Sequence, residues 1–237
     1  VEGVADGRIA ATSQQYPLRM ASLGVENIVA AAQGEEFVTG YTDTGVTLIT
    51  GDPVDGVESE DPLFGYESCW GDQVPEVLEQ AEEMFGGMDD MGEESMDMGM
   101  TIEEMAAEIG ALEEEVSVAL ITKTETNPFF VKMREGAEEA TEALGINLLT
   151  AAGEFDGDNE SQVTAIENFV AAGVDGILIT PSDTSAIVPA IEAAREAGVI
   201  VIALDTPTNP EDATSALYAT DNFQAGVLIG EYARAAS

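Results

Sequence analysis

The sequence predicts an α/β protein built on an open, doubly wound parallel sheet, and three observations support this fold class. Short apolar runs alternate with segments of helical period throughout residues 116–237. The apolar runs are continuous, without alternating polar residues, which is typical of strands covered on both faces. Helical segments separate most consecutive strands, so the strands are expected to be parallel and joined by right-handed crossovers.

The first strand of this region is VSVALIT at residues 116–122, and the helix after it begins at Asn127-Pro128. Asparagine is a favoured N-cap, and proline fits the first helical position. This helix ends at Gly145 and carries one apolar face, formed by Phe129, Met133, Ala137, Ala140 and Leu144. The elements that follow are a strand at 146–151, a helix from about 159 to Gly173, a strand at 176–181, a helix ending at Gly198, strands at 199–205 and 216–220, and a last helix from about 222.

Residues 1–50 predict a separate strand, helix and strand, with the strands at 7–14 and 44–50 and the helix starting at Pro17. The helix is apolar over much of its surface, so it needs a sheet or another helix to cover it. We expect it to pack on the main α/β lobe at 116–237. Its apolar residues include Leu18, Leu23, Val25, Ile28 and Val29.

Residues 51–115 predict an acidic, methionine-rich linker with short helices at 74–85 and 101–112. The stretch GGMDDMGEESMDMGM at 86–100 has neither helical nor strand period, which favours a flexible segment. Clustered methionines can bind copper(I) and clustered carboxylates can hold calcium, but no ligand spacing or glycine-turned loop defines such a site here. We therefore predict no metal site.

Composition excludes several classes of function. Seven basic residues stand against 47 acidic ones, a formal net charge of −40 that repels nucleic acid and anionic lipid. The chain contains no histidine and a single cysteine, Cys69, which leaves no usual zinc site, His-based triad or internal disulfide. We expect no enzyme and no cofactor. No apolar run is long enough to span a membrane, and an export signal is expected to lie outside this sequence.

The candidate binding residues follow the predicted strands, because ligands of open α/β sheets bind beyond the carboxyl ends of the strands. No glycine-rich phosphate loop is present among them, which argues against a nucleotide. Hydroxyl, amide and carboxylate groups suit a neutral ligand with many hydroxyls. Structural roles remain open: Asn127 as a helix cap, Phe129 and Phe130 as core, and Asp205 as a turn former. The positions are 123–127, 154–156, 182–183, 205–206 and 220–222.

Several motifs carry a family resemblance: TNPFFVKMREGAEEA, GDNESQVTAIENFVAAGVDGILITPSD, VIVIALDTPT and YATDN, in this order. Together they resemble the N-terminal lobe of the ribose-type periplasmic sugar-binding proteins of ABC transporters. Their sequence is most similar to that of the fructose-binding branch. DGRIAATSQQYPLRMASLGVENI, DTGVTLIT and ESCWG resemble the C-terminal end of the same family. The C-terminal family segment thus precedes the N-terminal one, and the body of the second lobe is largely missing from the chain.

The resemblance implies a Rossmann-like lobe of a two-lobed, type I periplasmic binding protein. Such a protein binds a monosaccharide and does not change it chemically. The resemblance further implies delivery to an ABC permease, a periplasmic or extracellular location and a monomeric state. Thr206 departs from the arginine that ribose binders have at this position, which points away from ribose. The residues that match the family's ligand contacts are Asn127, Phe129, Phe130, Asp205, Gln15, Thr220 and, more weakly, Lys123.

Two other classes share part of this pattern. The ligand-sensing domain of a sugar-responsive transcription regulator has the same fold, but it needs a basic helix-turn-helix, and none is visible in this acidic chain. An enzyme acting on sugars needs an acid/base pair of carboxyl groups or a histidine, and neither is evident.

Overall fold

The computed structural model describes residues 1–70 and 115–237, which fall into two units. Unit 1 contains residues 1–16, 44–70 and 220–237 of the described chain, and unit 2 contains residues 17–43 and 115–219. The described elements are α1 (Glu2–Ala5), β1 (Ala11–Gln14), α2 (Pro17–Ala32), β2 (Gly40–Asp43), β3 (Thr47–Thr50), α3 (Pro62–Trp70), β4 (Ser117–Thr122), α4 (Pro128–Leu144), β5 (Asn147–Ala152), α5 (Asn159–Ala172), β6 (Gly176–Ile179), α6 (Val188–Glu196), β7 (Ile200–Leu204), β8 (Ala216–Ala219) and α7 (Asn222–Ala235).

Unit 2 contains a six-stranded sheet of order β2-β8-β7-β6-β4-β5, in which every neighbouring pair is parallel. This confirms the predicted parallel sheet. The inner strands are apolar along their whole length because helices cover both faces: β6 is fully buried, and β4 and β7 each expose only their first residue partly.

Two hydrophobic cores lie on the two faces of this sheet, as a doubly wound arrangement requires. One core joins α2 and α4 to the sheet through residues such as Met20, Ile28 and Met133, all 0 % exposed. The other core joins α5 and α6 to the sheet through Ile166 and Ile191.

Helix α2 belongs to unit 2, where its apolar surface is covered by α4 and by the sheet. The approach of α2 to α4 depends on glycine. A Cβ at Gly136 would lie 2.5 Å from the Leu18 carbonyl oxygen, and a Cβ at Gly24 would lie 2.6 Å from a methyl carbon of Leu178. Gly136 thus lets the backbones of α4 and α2 come closer than a side chain would allow, and Gly24 lets α2 lie against the Leu178 side chain of β6.

The predicted helix signals are present in the structure. The side chain of Asn127 caps α4, and Gly145 ends α4 in the left-handed conformation with φ of 68°. Gly173 ends α5 in the same way with φ of 78°. The N-cap of α5 is Asp158, which accepts a hydrogen bond from the backbone N–H of Ser161.

Unit 1 contains the antiparallel pair β1 and β3, together with α1, α3 and α7. Tyr232 of α7 accepts a hydrogen bond from the Thr50 hydroxyl at 3.0 Å and donates to the Asp52 carbonyl at 3.2 Å. These contacts attach α7 to the end of β3.

The segment at residues 1–50 differs from the expected strand-helix-strand piece. Its strands β1 and β3 pair antiparallel in unit 1, whereas the intervening α2 and β2 lie in unit 2. The segment therefore contributes to both units. Three elements were not anticipated: α1, α3 and β2. They are short or polar, so their sequences have little periodicity; β2, for example, reads GYTD and is largely exposed.

The helices predicted at 74–85 and 101–112 and the flexible stretch predicted at 86–100 lie outside the described residues. Within residues 1–70 and 115–237, no helix combines the length and apolarity needed to cross a membrane.

Candidate functional site

The predicted binding positions of unit 2 follow the carboxyl ends of its parallel strands, as the sequence indicated. Lys123 comes directly after β4, and Asp205 comes directly after β7. Asn127, Phe129 and Phe130 lie at the start of α4, after the loop that leaves β4. Gln15 and Thr220 belong to unit 1.

Asp205 has an unusual backbone conformation. Its φ is +62°, the one positive value among the described non-glycine residues. Aspartate tolerates this left-handed region better than most side chains do. The backbone N–H of Asp205 donates to the Tyr218 carbonyl at 2.8 Å, which ties the turn to the neighbouring strand β8. The side chain is half-buried at the edge of the sheet.

A chain of hydrogen bonds links Lys123 to Asp205. The Lys123 ammonium donates to the Thr206 hydroxyl at 2.9 Å, and this hydroxyl donates to Oδ2 of Asp205 at 3.0 Å. Strand β6 lies between β4 and β7 in the sheet, so the lysine side chain reaches past the end of an intervening strand. The structure therefore brings two of the predicted residues together through a third.

Asn127 acts as the N-cap of α4, which was the structural alternative for this residue. Its side-chain oxygen accepts from the backbone N–H of Phe129 at 3.0 Å. Because an amide also carries two N–H donors, the exposed Asn127 side chain keeps hydrogen-bonding capacity beyond the cap.

Phe129 and Phe130 pack edge to face, with ring centroids 5.5 Å apart and an interplanar angle of 82°. Phe130 is 5 % exposed and belongs to the core beneath α4, whereas Phe129 is half-buried and packs against that core. Phe129 therefore offers a ligand more ring surface than Phe130 does.

In unit 1, the Gln15 amide donates to the side-chain oxygen of Asn222 at 3.0 Å. The hydroxyl of Thr220 donates to the Gly45 carbonyl at 3.4 Å and is buried. Both residues lie next to unit boundaries, at 16/17 and 219/220 along the chain.

Asp183 also follows a strand, β6, but its carboxylate is committed to its own turn. The backbone N–H groups of Ala186 and Ser185 donate to it at 2.8 and 2.9 Å and lower its pKa. Both of these bonds hold Oδ1 of Asp183 to the backbone of its own turn, whereas Asp205 accepts its bond at Oδ2 from the Thr206 side chain.

Gln162 is a site-forming residue that the sequence reasoning missed. It lies on α5 with 0 % exposure, and its amide N–H groups donate to the carbonyls of Thr122 at 3.1 Å and Thr180 at 2.9 Å. Its oxygen accepts from the backbone N–H of Ser182 at 2.8 Å. Gln162 thus fixes the carboxyl ends of β4 and β6. A polar residue four positions before the buried Ile166, on an inward helix face, was the available signal.

Among residues 1–70 and 115–237, no three or more Cys, Asp or Glu side chains group in a way that would hold a metal ion. The side chains after the strand ends of unit 2 include carboxylate, ammonium, amide and hydroxyl groups and an aromatic ring, which are suited to binding hydroxyls.

Comparison with known proteins identifies a domain family that matches the second part of the chain. The profile of the periplasmic binding protein domain matches residues 118–237. The ribose import binding protein RbsB of Bacillus subtilis is 30% identical over 118 residues, which is 50% of this chain and 38% of that protein. The D-ribose/D-allose-binding protein of Pseudomonas aeruginosa is 29% identical over 126 residues, which is 50% of this chain and 40% of that protein.

Among solved structures, the periplasmic ribose ABC transporter protein of Conexibacter woesei is 29% identical with a TM-score of 0.48, covering 52% of this chain and 41% of that chain. The chain therefore spans well under half the length of the relatives that it matches.

Proposed function

The chain belongs to the periplasmic binding protein domain family, and on this basis we propose that it is the solute-binding part of an ABC sugar importer. Its ligand is a monosaccharide. The curated relatives named above are binding proteins and not enzymes, in keeping with a site that performs no chemistry on the sugar.

The observation that carries the proposal is the state of Asp205. Its carboxylate lies at the carboxyl end of β7, half-buried, and the described residues give its Oδ1 atom no hydrogen-bond partner. An ionised carboxylate in this position accepts hydrogen bonds from two adjacent sugar hydroxyls. Ligands of open α/β sheets bind at this edge.

The remaining contacts are proposed from the same chemistry. Asn127 supplies amide donors, and the half-buried ring of Phe129 covers the C–H face of the sugar, with Phe130, packed edge to face against Phe129, as the second aromatic contact. Lys123 donates to a sugar oxygen with the ammonium protons that Thr206 does not use. Gln15 and Thr220 are proposed as ligand contacts because they match the family's contact positions in sequence.

A fructose-like sugar is the proposed ligand. Thr206 stands next to Asp205 where the resemblance to ribose binders calls for arginine, so the donors available at this point are a hydroxyl and the ammonium of Lys123. Fewer fixed donors here favour a sugar with a different hydroxyl arrangement from ribose.

The proposed biological setting follows from the family. The protein works as a monomer on the periplasmic or extracellular face of the membrane and delivers its sugar to a permease. Within the chain, residues 116–237 supply the sugar-binding lobe. Residues 1–50 supply a segment from the C-terminal end of the family, and residues 51–115 are the linker between them.

Calorimetric titration with fructose, ribose, xylose, galactose and inositol tests the proposal. We expect binding heat for at least one sugar. Asp205→Asn keeps a side chain that tolerates positive φ but removes the charge, so affinity should fall roughly 10- to 100-fold, the effect of a hydrogen bond to a charged group. Asp212→Asn, an exposed aspartate in the turn before β8, is the matched control and should bind like the wild type. Unchanged affinity in Asp205→Asn would contradict the site.

A further inference from the structure

The Thr206 hydroxyl lies between a group that only donates and a group that only accepts. The Lys123 ammonium has no acceptor, and an ionised carboxylate has no donor. The hydroxyl therefore has one arrangement that serves both neighbours: it accepts from Nζ of Lys123 at 2.9 Å and gives its single proton to Oδ2 of Asp205 at 3.0 Å.

We propose that Lys123 and Thr206 are positioning residues, which hold the carboxylate of Asp205 in one orientation before the sugar arrives. This inference rests on the proposed function. It gives Lys123 a second role besides its direct contact with the sugar. It also gives a positioning role to Thr206, which does not contact the ligand in the proposed site.

The aspartate needs such an anchor because of where it lies. The torsion that rotates a carboxylate is broad and has no strong preference of its own. Asp205 follows a strand in a half-buried turn, and its Oδ2 bonds to Thr206 while Oδ1 has no partner among the described residues. Fixing one oxygen leaves the other in a defined place for the ligand, which lowers the ordering cost of binding.

Lys123 contributes more than the hydroxyl alone can. A threonine hydroxyl without a donor beside it is able to rotate away from the carboxylate, whereas donation from an ammonium orients it and strengthens it as a donor. The base of Lys123 is fixed as well, because Gln162 donates to the carbonyl of Thr122, the preceding residue. The hydrogen-bonded chain thus joins the ends of β4 and β7 past β6.

The first test needs no sugar. The chain has two lysines, Lys123 and Lys132, so labelling with ¹⁵N-lysine gives two ammonium signals. Lys132 pairs with Glu135 on α4 and is the internal reference. In Thr206→Val, which keeps the shape but lacks the hydroxyl, the Lys123 ammonium protons should exchange with water about five- to tenfold faster, the effect of one lost hydrogen bond. Thr206→Ser should exchange like the wild type. Equal exchange in the wild type and Thr206→Val would overturn the proposal.

The second test measures affinity for the sugar identified by calorimetry, in a double-mutant cycle. Thr206→Val and Lys123→Met should each weaken binding about tenfold, and the double variant should be no weaker than the weaker single variant, because both break one chain. Thr206→Ser should stay within about threefold of the wild type. Additive losses, or wild-type affinity in Thr206→Val, would overturn the positioning role and leave Lys123 as a direct contact.

The two tests separate this inference from the proposed function. If the wild type binds none of the sugars while Lys123 shows slow ammonium exchange that depends on Thr206, the sugar-binding function fails and the anchoring of Asp205 stands. If sugar binds but neither variant changes exchange or affinity, the function stands and the positioning role fails.

Discussion

Two aspartates, Asp183 and Asp205, follow the neighbouring strands β6 and β7 but form different hydrogen bonds. Asp183, after β6, spends its carboxylate on the backbone N–H groups of Ala186 and Ser185, and these bonds lower its pKa. Asp205, after β7, adopts positive φ, bonds to one hydroxyl and keeps an oxygen without a partner among the described residues. Position after a strand makes both residues candidates, and the hydrogen bonds identify Asp183 as the residue that holds its own turn, while the binding role of Asp205 stays a prediction.

Gln162 offers a prediction at the same scale. Gln162→Leu keeps the approximate size but removes the bonds to the Thr180 carbonyl and from the Ser182 N–H group in a fully buried place, while the Thr122 carbonyl keeps its bond from the Gly153 N–H group at 3.2 Å. Each unsatisfied buried group costs about 1–3 kcal/mol, so we expect these two groups to lower the free energy of unfolding by at least about 2 kcal/mol, measured by urea denaturation. Gln224→Leu on the exposed start of α7 should change stability by less than about 0.5 kcal/mol. Equal losses of stability in the two variants would contradict the role of Gln162 in fixing the carboxyl ends of β4 and β6.

At the scale of elements, the crossing of α2 and α4 decides how unit 2 is assembled. The helix α2 comes from the first part of the chain and α4 from the second, and both cover the same face of the sheet. Their close approach depends on Gly136, where a Cβ would lie 2.5 Å from the Leu18 carbonyl oxygen. That contact is with backbone, which has little freedom to move aside.

Gly136→Ala should therefore destabilise the protein even though alanine is the better helix former. The helical preference favours alanine by about 1 kcal/mol, but overpacking costs about 1–3 kcal/mol, and the rigid backbone contact places this site at the upper end. Gly230→Ala on α7 is the control, because no atom outside its own helix lies within 4 Å of its added Cβ. It should gain up to about 1 kcal/mol. Thermal or urea unfolding of both variants checks the expected opposite signs; stabilisation by Gly136→Ala would contradict the packing argument.

At the scale of the whole molecule, the formal net charge of −40 acts on every unit of the fold. Self-repulsion of this size destabilises a compact state, and dissolved salt screens it. Local pairing relieves little of it, because seven basic residues cannot balance 47 acidic ones.

Stability should accordingly rise with ionic strength. The Debye length falls from about 30 Å at 0.01 M to about 10 Å at 0.1 M salt, so we expect most of the gain in urea midpoint below roughly 0.3 M NaCl. Sucrose at matched osmolality is the control for solute exclusion, which acts without screening. A midpoint that stays flat up to 0.3 M NaCl would show that the charges are already compensated in the folded state.

The sequence was sufficient for the elements with strong periodicity. The strands β4 to β8, the helices α4 to α7 and the caps at Asn127 and Gly145 were predicted because continuous apolar runs, helical faces and cap residues are local signals. The antiparallel pairing of β1 with β3 and the division of residues 1–50 between two units were not, because pairing depends on partners that are distant along the chain.

The candidate site, too, could be predicted from the sequence only in part. The sequence placed Lys123 and Asp205 at strand ends, since strand ends are readable from the pattern. It did not reveal that Thr206 links them or that Gln162 fixes the loops, because hydrogen bonds between loops have no period. The ligand roles of all seven candidate residues stay predictions: Asn127, Phe129, Phe130, Asp205, Gln15, Thr220 and Lys123.

The position of β2 in the sheet bears on the order in which the strands can pair during folding. Strand β2 comes first along the chain among the described strands of its sheet, yet its neighbour among them is β8, with Tyr41 opposite Leu217. The strands β4 to β7 can pair with one another before β8 has formed, whereas β2 can pair only once β8, at Ala216–Ala219, is in place. A contact of such long sequence separation slows folding. Until β8 has formed, β2 is therefore a short, mostly polar strand without its partner in the sheet.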